Sequence, residues 1–264
     1  MSDGREIADV RSRNDVPLVL VIAGTDSSGG AGLVRDVQVI TELGARASCV
    51  VTAVTAQTHS HVEASCVLSP EIVRQQLRSA LRSGPVGAIK IGMLGNGAIV
   101  RVVLDELPNR NQIPIVLDPV LCSSSGATLL DPEGMQLLRD RLLPRCTLTT
   151  PNLMEAAALL GEPIARDDTE QARQAQSLLR FGSEGVLLKG GHGAGRSSVD
   201  VLVIRAGPSY LLTAERLDVT MRGTGCALGS AIAASMAAGD TLESACQKAK
   251  AYVHDKLLAL GAGS

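Results

Sequence analysis

A chain of 264 residues with a formal net charge of −2 is long enough to bury a stable core of its own and too evenly charged for a broad nucleic-acid-binding surface. Aromatic residues make up 1% of it, with no Trp, which argues against base-stacking platforms, and no apolar run reaches the length of a membrane span. The six cysteines, Cys49, Cys66, Cys122, Cys146, Cys226 and Cys246, form no C-x-x-C pair; with no signal-peptide pattern, a reduced, cytoplasmic protein is expected.

Residues 1–16 are polar, charged and aperiodic and read as a mobile tail; residues 17–264 read as one domain. Leu18 to Ala23 is a continuous apolar run rich in β-branched residues, the pattern of a buried strand. The glycine-rich loop Gly24 to Gly32 follows, then a helix through Glu42. A strand is expected over Ala47 to Val54, with the polar segment Gln57 to His61 after it. Ser69-Pro70 is a helix start, serine as N-cap and proline in the first turn. Strands at Val86 to Ile91, Ile113 to Leu117, Cys146 to Thr149 and Val186 to Leu188 alternate with helices opened by Asn96, Asp131-Pro132, Asn152 and Thr169. Val199 to Ile204 and Tyr210 to Thr213 read as a strand pair turning at Gly207-Pro208. Two helices close the chain, one from Thr224 and one from Thr241, the second with Asp240 and Glu243 in capping-box spacing. Alternating strands and helices predict an α/β fold, a three-layer doubly wound and mostly parallel sheet. Ligands bind such sheets beyond the carboxyl ends of the strands, where Gly24, Gln57, Met93, Asp118, Asn152 and Lys189 fall.

The stretch Arg222-Gly223-Thr224-Gly225-Cys226 is the most specific in the chain. A glycine turn that opens a helix leaves N–H groups unpaired at the positive end of the dipole, a ready anion site. A plain tight start with Thr224 as cap is the simpler alternative. A thiol in the first turn, as at Cys226, is expected to have a lowered pKa. The Gly24 to Gly32 loop matches neither the dinucleotide nor the P-loop pattern. Asp36 taken alone is an exposed helix carboxylate, Gln57 a surface residue able to read a heterocycle edge, and Met93 a core residue or padding for a flat ring. Asn152 and Glu155 are either an N-cap with its N3 partner or an oxygen ligand set for Mg²⁺. Lys189-Gly190-Gly191-His192 is a turn or a phosphate neutraliser.

Seven stretches in order carry a resemblance that spans nearly the whole chain: Ala23 to Gly32, Thr52 to Gln57, Lys90 to Leu94, Leu117 to Val120, Thr150 to Ala156, Lys189 to His192 and Gly223 to Cys226. Together they resemble the hydroxymethylpyrimidine/phosphomethylpyrimidine kinases of thiamin biosynthesis, in the ribokinase superfamily. The resemblance implies a ribokinase-like fold and an ATP- and Mg²⁺-dependent kinase. Its substrates would be 4-amino-5-hydroxymethyl-2-methylpyrimidine and then its monophosphate. By position, Gly24, Asp36, Gln57, Met93 and Val120 match the family's pyrimidine pocket. Asn152 and Lys189 match its nucleotide side, Glu155 its metal side, and Gly223, Thr224, Gly225 and Cys226 its catalytic anion hole. It also implies a cytoplasmic homodimer with no nucleic-acid or membrane partner. In the superfamily's sugar kinases an aspartate that takes the acceptor proton stands where Cys226 does, so Cys226 is expected to align and assist the hydroxymethyl group, its thiolate acting as a weak base, without a covalent intermediate.

Two departures stand out. Arg222 occupies a position where the family commonly has histidine, and Val219-Thr220-Met221 before it lacks the usual asparagine-threonine. A permanent, bidentate cation there is expected to contact a phosphate, from ATP or from the monophosphate. Thr58-His59-Ser60-His61 replaces the family's asparagine-threonine-polar-glycine pattern over the substrate. The alternatives are a pyridoxal or pyridoxine kinase of the cysteine-containing type and a vitamin-precursor binding protein without turnover.

Overall fold

In the computed structural model, the described residues are 16–58, 61–107, 113–123, 126–191, 196–219 and 221–262. The expected tail therefore lies outside them, apart from Val16, as do His59, Ser60, Thr220 and His192.

The strands are β1 (Leu18–Asp26), β2 (Arg46–Gln57), β3 (Val62–Val67), β4 (Ala88–Ile91), β5 (Ile115–Leu117), β6 (Leu148–Thr149), β7 (Gly185–Leu188), β8 (Ser197–Ile204) and β9 (Ser209–Glu215). The helices are α1 (Gly32–Glu42), α2 (Pro70–Arg82), α3 (Gly97–Glu106), α4 (Pro132–Leu137), α5 (Leu153–Leu160), α6 (Asp168–Leu178), α7 (Thr224–Ala237) and α8 (Leu242–Gly261). One sheet runs β3-β2-β1-β4-β5-β6-β7-β8-β9. The strands from β2 to β7 are parallel, while β3, β8 and β9 pair antiparallel at the two edges.

Side-chain alternation along each strand divides the core in two. Leu20 and Ile22 of β1, with Ile89 and Ile91 of β4, pack under α2 to α6. Val19, Val21 and Ala23, with Ala88, Val116 and Leu148, pack under α1, α7 and α8. The expected three-layer arrangement is the one observed. Because α7 is built of small residues and its middle is wholly buried, it lies close against the sheet.

The helix starts follow their capping residues. Ser69, Asn96 and Asp131 accept N–H bonds from Ile72, Ile99 and Gly134. The last helix differs from expectation: Thr241 is its cap, accepting from Ser244, because Asp240 is bound to Ser235 and Lys248 instead. The helix after Asp131 also changes character, passing into a π turn over Leu138–Leu142 and a 3-10 turn over Leu143–Arg145. No helix of the described residues is long and apolar enough to cross a membrane.

Candidate active site

Chain order reverses beside β1, which pairs with β2 on one side and β4 on the other. A crevice forms outside the strand ends at such a switch point. Ile22, Ile91, Leu117 and Thr149 lie abreast in β1, β4, β5 and β6. The residues that follow them therefore emerge along one rim.

On the β1–β2 side, Gln57 is the last residue of β2, not a loop residue after it, and pairs with Val62 of β3. Its N–H donates to Ser27 Oγ at 2.9 Å, and its side-chain oxygen accepts from Thr55 at 3.3 Å. Gly24 is buried, and a Cβ on it would stand 2.8 Å from Met93 Sδ, so it makes room for Met93. Thr52 Oγ1 donates to the Met93 carbonyl at 2.7 Å and fixes the backbone there. Val120 is half-buried, its N–H bonded to the Asp118 carbonyl at 2.8 Å.

Asp36 departs from both expectations. It is neither an exposed helix carboxylate nor a wall of the pocket, since it has 0% exposure. Lys90 Nζ lies 2.8 Å from each of its oxygens, and Ser230 Oγ of α7 donates to Oδ1 at 2.8 Å. Lys90 alternates with Ile89 and Ile91, so it faces α1 and α7, where Gly229 leaves space beside its stem. Burial pulls the Lys90 ammonium down, but the charge of Asp36, with Cys226 and Asp118 behind it, prevails and holds its pKa above the ordinary lysine value.

On the β5–β7 side, Lys189 Nζ lies 2.9 Å from Asp118 Oδ1 and 4.0 Å from Glu155 Oε2. Asn152 and Glu155 form a complete capping box at the start of α5, each side chain accepting the other's N–H at 2.8 Å. The capping alternative is the one observed, and the same carboxylate also faces Lys189. Burial pushes Glu155 up to about 7, with Lys189 opposing and Asp118 adding to the shift.

Between these two sides stands the start of α7. Its cap is Gly223, not Thr224, at φ 71. A Cβ there would run into the Gly30 carbonyl and lie 3.1 Å from Ala31 Cα. A Cβ on Gly225 would stand 3.1 Å from Lys189 Nζ and 3.5 Å from Asp118 Oδ2. The turn is thus pressed against the lysine, with no side chain between them. Cys226 is half-buried. The expected lowering of its thiol pKa is not found. Burial pushes it up to about 11; Lys90 and a hydrogen bond from the Gly32 backbone oppose this, while Asp36 and Asp118 add to it.

Arg222 turns toward the β1–β2 side. Its Nη1 donates to Ser28 Oγ at 3.1 Å and to the Thr58 carbonyl at 2.7 Å, and its Nη2 stands 3.3 Å from Asp26 Oδ2. Asp26 Oδ1 is bound independently by the N–H and Oγ of Ser28, both at 2.8 Å. Sequence reasoning gave no role to Lys90, Asp118, Ser230 or Asp26. Asp26, Lys90 and Asp118 lie in the quoted stretches, and a lysine inside the apolar run Ala88 to Ile91 was the signal that a buried partner had to exist.

Residues 26–263 match the family model described as phosphomethylpyrimidine kinase. A hydroxymethylpyrimidine/phosphomethylpyrimidine kinase of Rhizobium meliloti is 40% identical over 238 residues, covering 90% of this chain and 89% of that protein. Among solved structures, a phosphomethylpyrimidine kinase from Clostridium difficile superposes with a TM-score of 0.79 at 32% identity, over 91% of this chain and 99% of that one. A pyridoxal kinase from Staphylococcus aureus in complex with AMP-PCP and pyridoxal gives a TM-score of 0.83 at 28% identity, over 92% of this chain and 88% of that one.

Proposed function

Since the chain belongs to the phosphomethylpyrimidine kinase family, we propose that it is the ATP-dependent kinase of thiamin biosynthesis. On this reading it phosphorylates 4-amino-5-hydroxymethyl-2-methylpyrimidine and then the monophosphate. The observation that carries the assignment of roles is the apposition of the glycine turn and Lys189, with 3.1 Å between a Cβ on Gly225 and the ammonium. A fixed cation and the N–H groups of a helix start meet there without a side chain between them.

Phosphoryl transfer asks mainly for alignment and charge stabilisation. A bond forms between the acceptor oxygen and the γ-phosphorus as the bond from that phosphorus to the ADP oxygen breaks, and the hydroxyl proton of the alcohol passes to an oxygen of the transferred phosphoryl group or to water. The N–H groups of Thr224 to Cys226 face the charge on the transferred group. Lys189, held by Asp118 and Glu155, neutralises the neighbouring phosphates. Asn152 positions Glu155 through the capping box. Hard-oxygen chemistry suits Mg²⁺, which takes one or two carboxylates and substrate phosphates in place of a protein cage. Glu155 and Asp118 fit that role, and no cluster of three or more metal-ligating side chains occurs among the described residues. Bound there, the ion would neutralise charge on the β- and γ-phosphates.

Cys226 enters as a neutral thiol. With a pKa near 11 it orients the hydroxymethyl group, and a loose transition state requires little help from a base. Gln57 and Met93 sit on the acceptor side, to read and cover the ring. A homodimeric state and a cytoplasmic location belong to the same reading; sedimentation equilibrium tests the first.

The test is ³¹P NMR of the protein incubated with ATP, Mg²⁺ and the pyrimidine alcohol. The expected result is a phosphomonoester signal, followed by a diphosphate. Unchanged ATP would overturn the assignment.

A further inference from the structure

We propose that Arg222 is the specificity-determining residue of the second phosphorylation, gripping the phosphate of the monophosphate substrate and not a phosphate of ATP. This rests on the kinase reading above and adds the division of labour between its cations.

Among the described residues, Lys90, Lys189 and Arg222 are the cations nearest the strand ends and the α7 start, and each is tied to a different part of the fold. Lys90 is fully buried and consumed by Asp36. Lys189 is held by Asp118 and Glu155 on the side assigned to the nucleotide. Arg222 alone of the three is tied to the β1–α1 loop and to Thr58, beside Gln57. The first acceptor is neutral, while the second carries a phosphomonoester. The anion that distinguishes the two turnovers enters on the acceptor side, where Arg222 stands directly before the glycine turn.

The guanidinium is oriented for this. Of its five N–H groups, three go to Ser28, Thr58 and Asp26. Nε and the second Nη2 hydrogen have no protein acceptor among the described residues. Its side chain keeps 20% of its surface open. The contact to Asp26, at 3.3 Å, is longer than a charge-assisted bond normally is, and Asp26 keeps two bonds from Ser28 whatever Arg222 does. A phosphate can therefore compete for the fork while the loop stays formed. A histidine at this position would offer one donor at a time and a charge that depends on pH.

The experiment measures equilibrium binding of the pyrimidine alcohol and of its monophosphate without ATP, and then initial ADP release with each, for the native chain, Arg222→Met and Arg222→Lys. In Arg222→Met the Kd for the monophosphate is expected to rise at least about tenfold more than that for the alcohol, with the same skew in kcat/KM. Arg222→Lys, which keeps the charge and loses the fork, is expected to fall between. Equal weakening toward both ligands, or Arg222→Lys behaving as the native chain, would overturn the inference. If Arg222→Met does not fold, the comparison is carried by Arg222→Lys and Arg222→Gln. Failure of the kinase reading looks different: the native chain would turn over neither pyrimidine.

Discussion

The ammonium of Lys90 stands 2.8 Å from both carboxylate oxygens of Asp36, and neither side chain has any exposed surface. The pair joins β4 to α1, and Ser230 extends it to α7, so it fastens β4 and α1 to the helix that carries the glycine turn. Removing one member leaves a buried charge uncompensated, at a cost of about 3–5 kcal/mol. Lys90→Met is expected to lose about that much stability in urea unfolding. Lys90→Met combined with Asp36→Leu should recover much of it. A single variant within about 1 kcal/mol of the native chain would contradict the account.

The neutral state of Cys226 is open to direct measurement. With its pKa near 11, alkylation of the Cys226 peptide by iodoacetamide, followed by mass spectrometry, should be slow at pH 7.5 and still accelerating at pH 10. A rate that levels off near pH 8 would show a thiolate of the kind the helix start alone predicts. Cys66 and Cys122 are exposed and serve as internal references.

Glu155 makes a pH-dependent contribution of defined sign. In the folded, metal-free chain it holds its proton up to about 7, against 4.5 for an ordinary glutamate. Between those values the folded state binds more protons than the unfolded one. The contribution to stability is therefore fully present below about pH 4.5 and is lost as pH rises through about 7. Glu155→Gln keeps an N3 side chain able to complete the cap and should flatten this loss. Parallel stability curves for the two proteins between pH 4.5 and 7 would contradict it.

Gly223 is required by backbone shape. An alanine at φ 71 with its Cβ against the Gly30 carbonyl is strained by about 1–2 kcal/mol from the left-handed conformation alone, and the close contact adds to that. Gly223→Ala is expected to melt several degrees lower. It should also lose turnover at least about tenfold, because the N–H groups of the turn shift away from the reacting phosphate. Native kinetics in this variant would mean that the turn does not face the reaction.

Most of the sheet and all the helices were legible because each rests on a local pattern. Leu18 to Ala23 is apolar on both faces, as a central parallel strand must be, and Ser69, Asn96, Asp131 and Asn152 all cap the helices they precede. β3 was not foreseen: Val62 to Val67 alternates apolar and polar residues, but it is a six-residue edge strand whose middle is exposed on both faces, so little apolar burial marks it. Gln57 ends β2, and Asp118, Asn152 and Lys189 follow β5, β6 and β7, whereas Asp36 lies buried in α1. What the sequence could not give was their partners, since Lys90 lies 54 positions from Asp36 and Lys189 lies 71 from Asp118. The direction of the Cys226 shift was misjudged for the same reason. A helix start is visible locally, whereas the burial and the carboxylates that outweigh it come from distant segments, Asp36 of α1 and Asp118 just after β5.

The most direct test of the central claim is a coupled ADP-release assay in which the pyrimidine alcohol, its monophosphate and pyridoxal are compared at equal concentrations. The fold alone does not choose between them, since a phosphomethylpyrimidine kinase and a pyridoxal kinase superpose with TM-scores of 0.79 and 0.83. The account predicts a kcat/KM for both pyrimidines at least about tenfold above that for pyridoxal, which corresponds to about 1.4 kcal/mol of transition-state discrimination. A preference for pyridoxal, or ADP release that no pyrimidine stimulates, would contradict it.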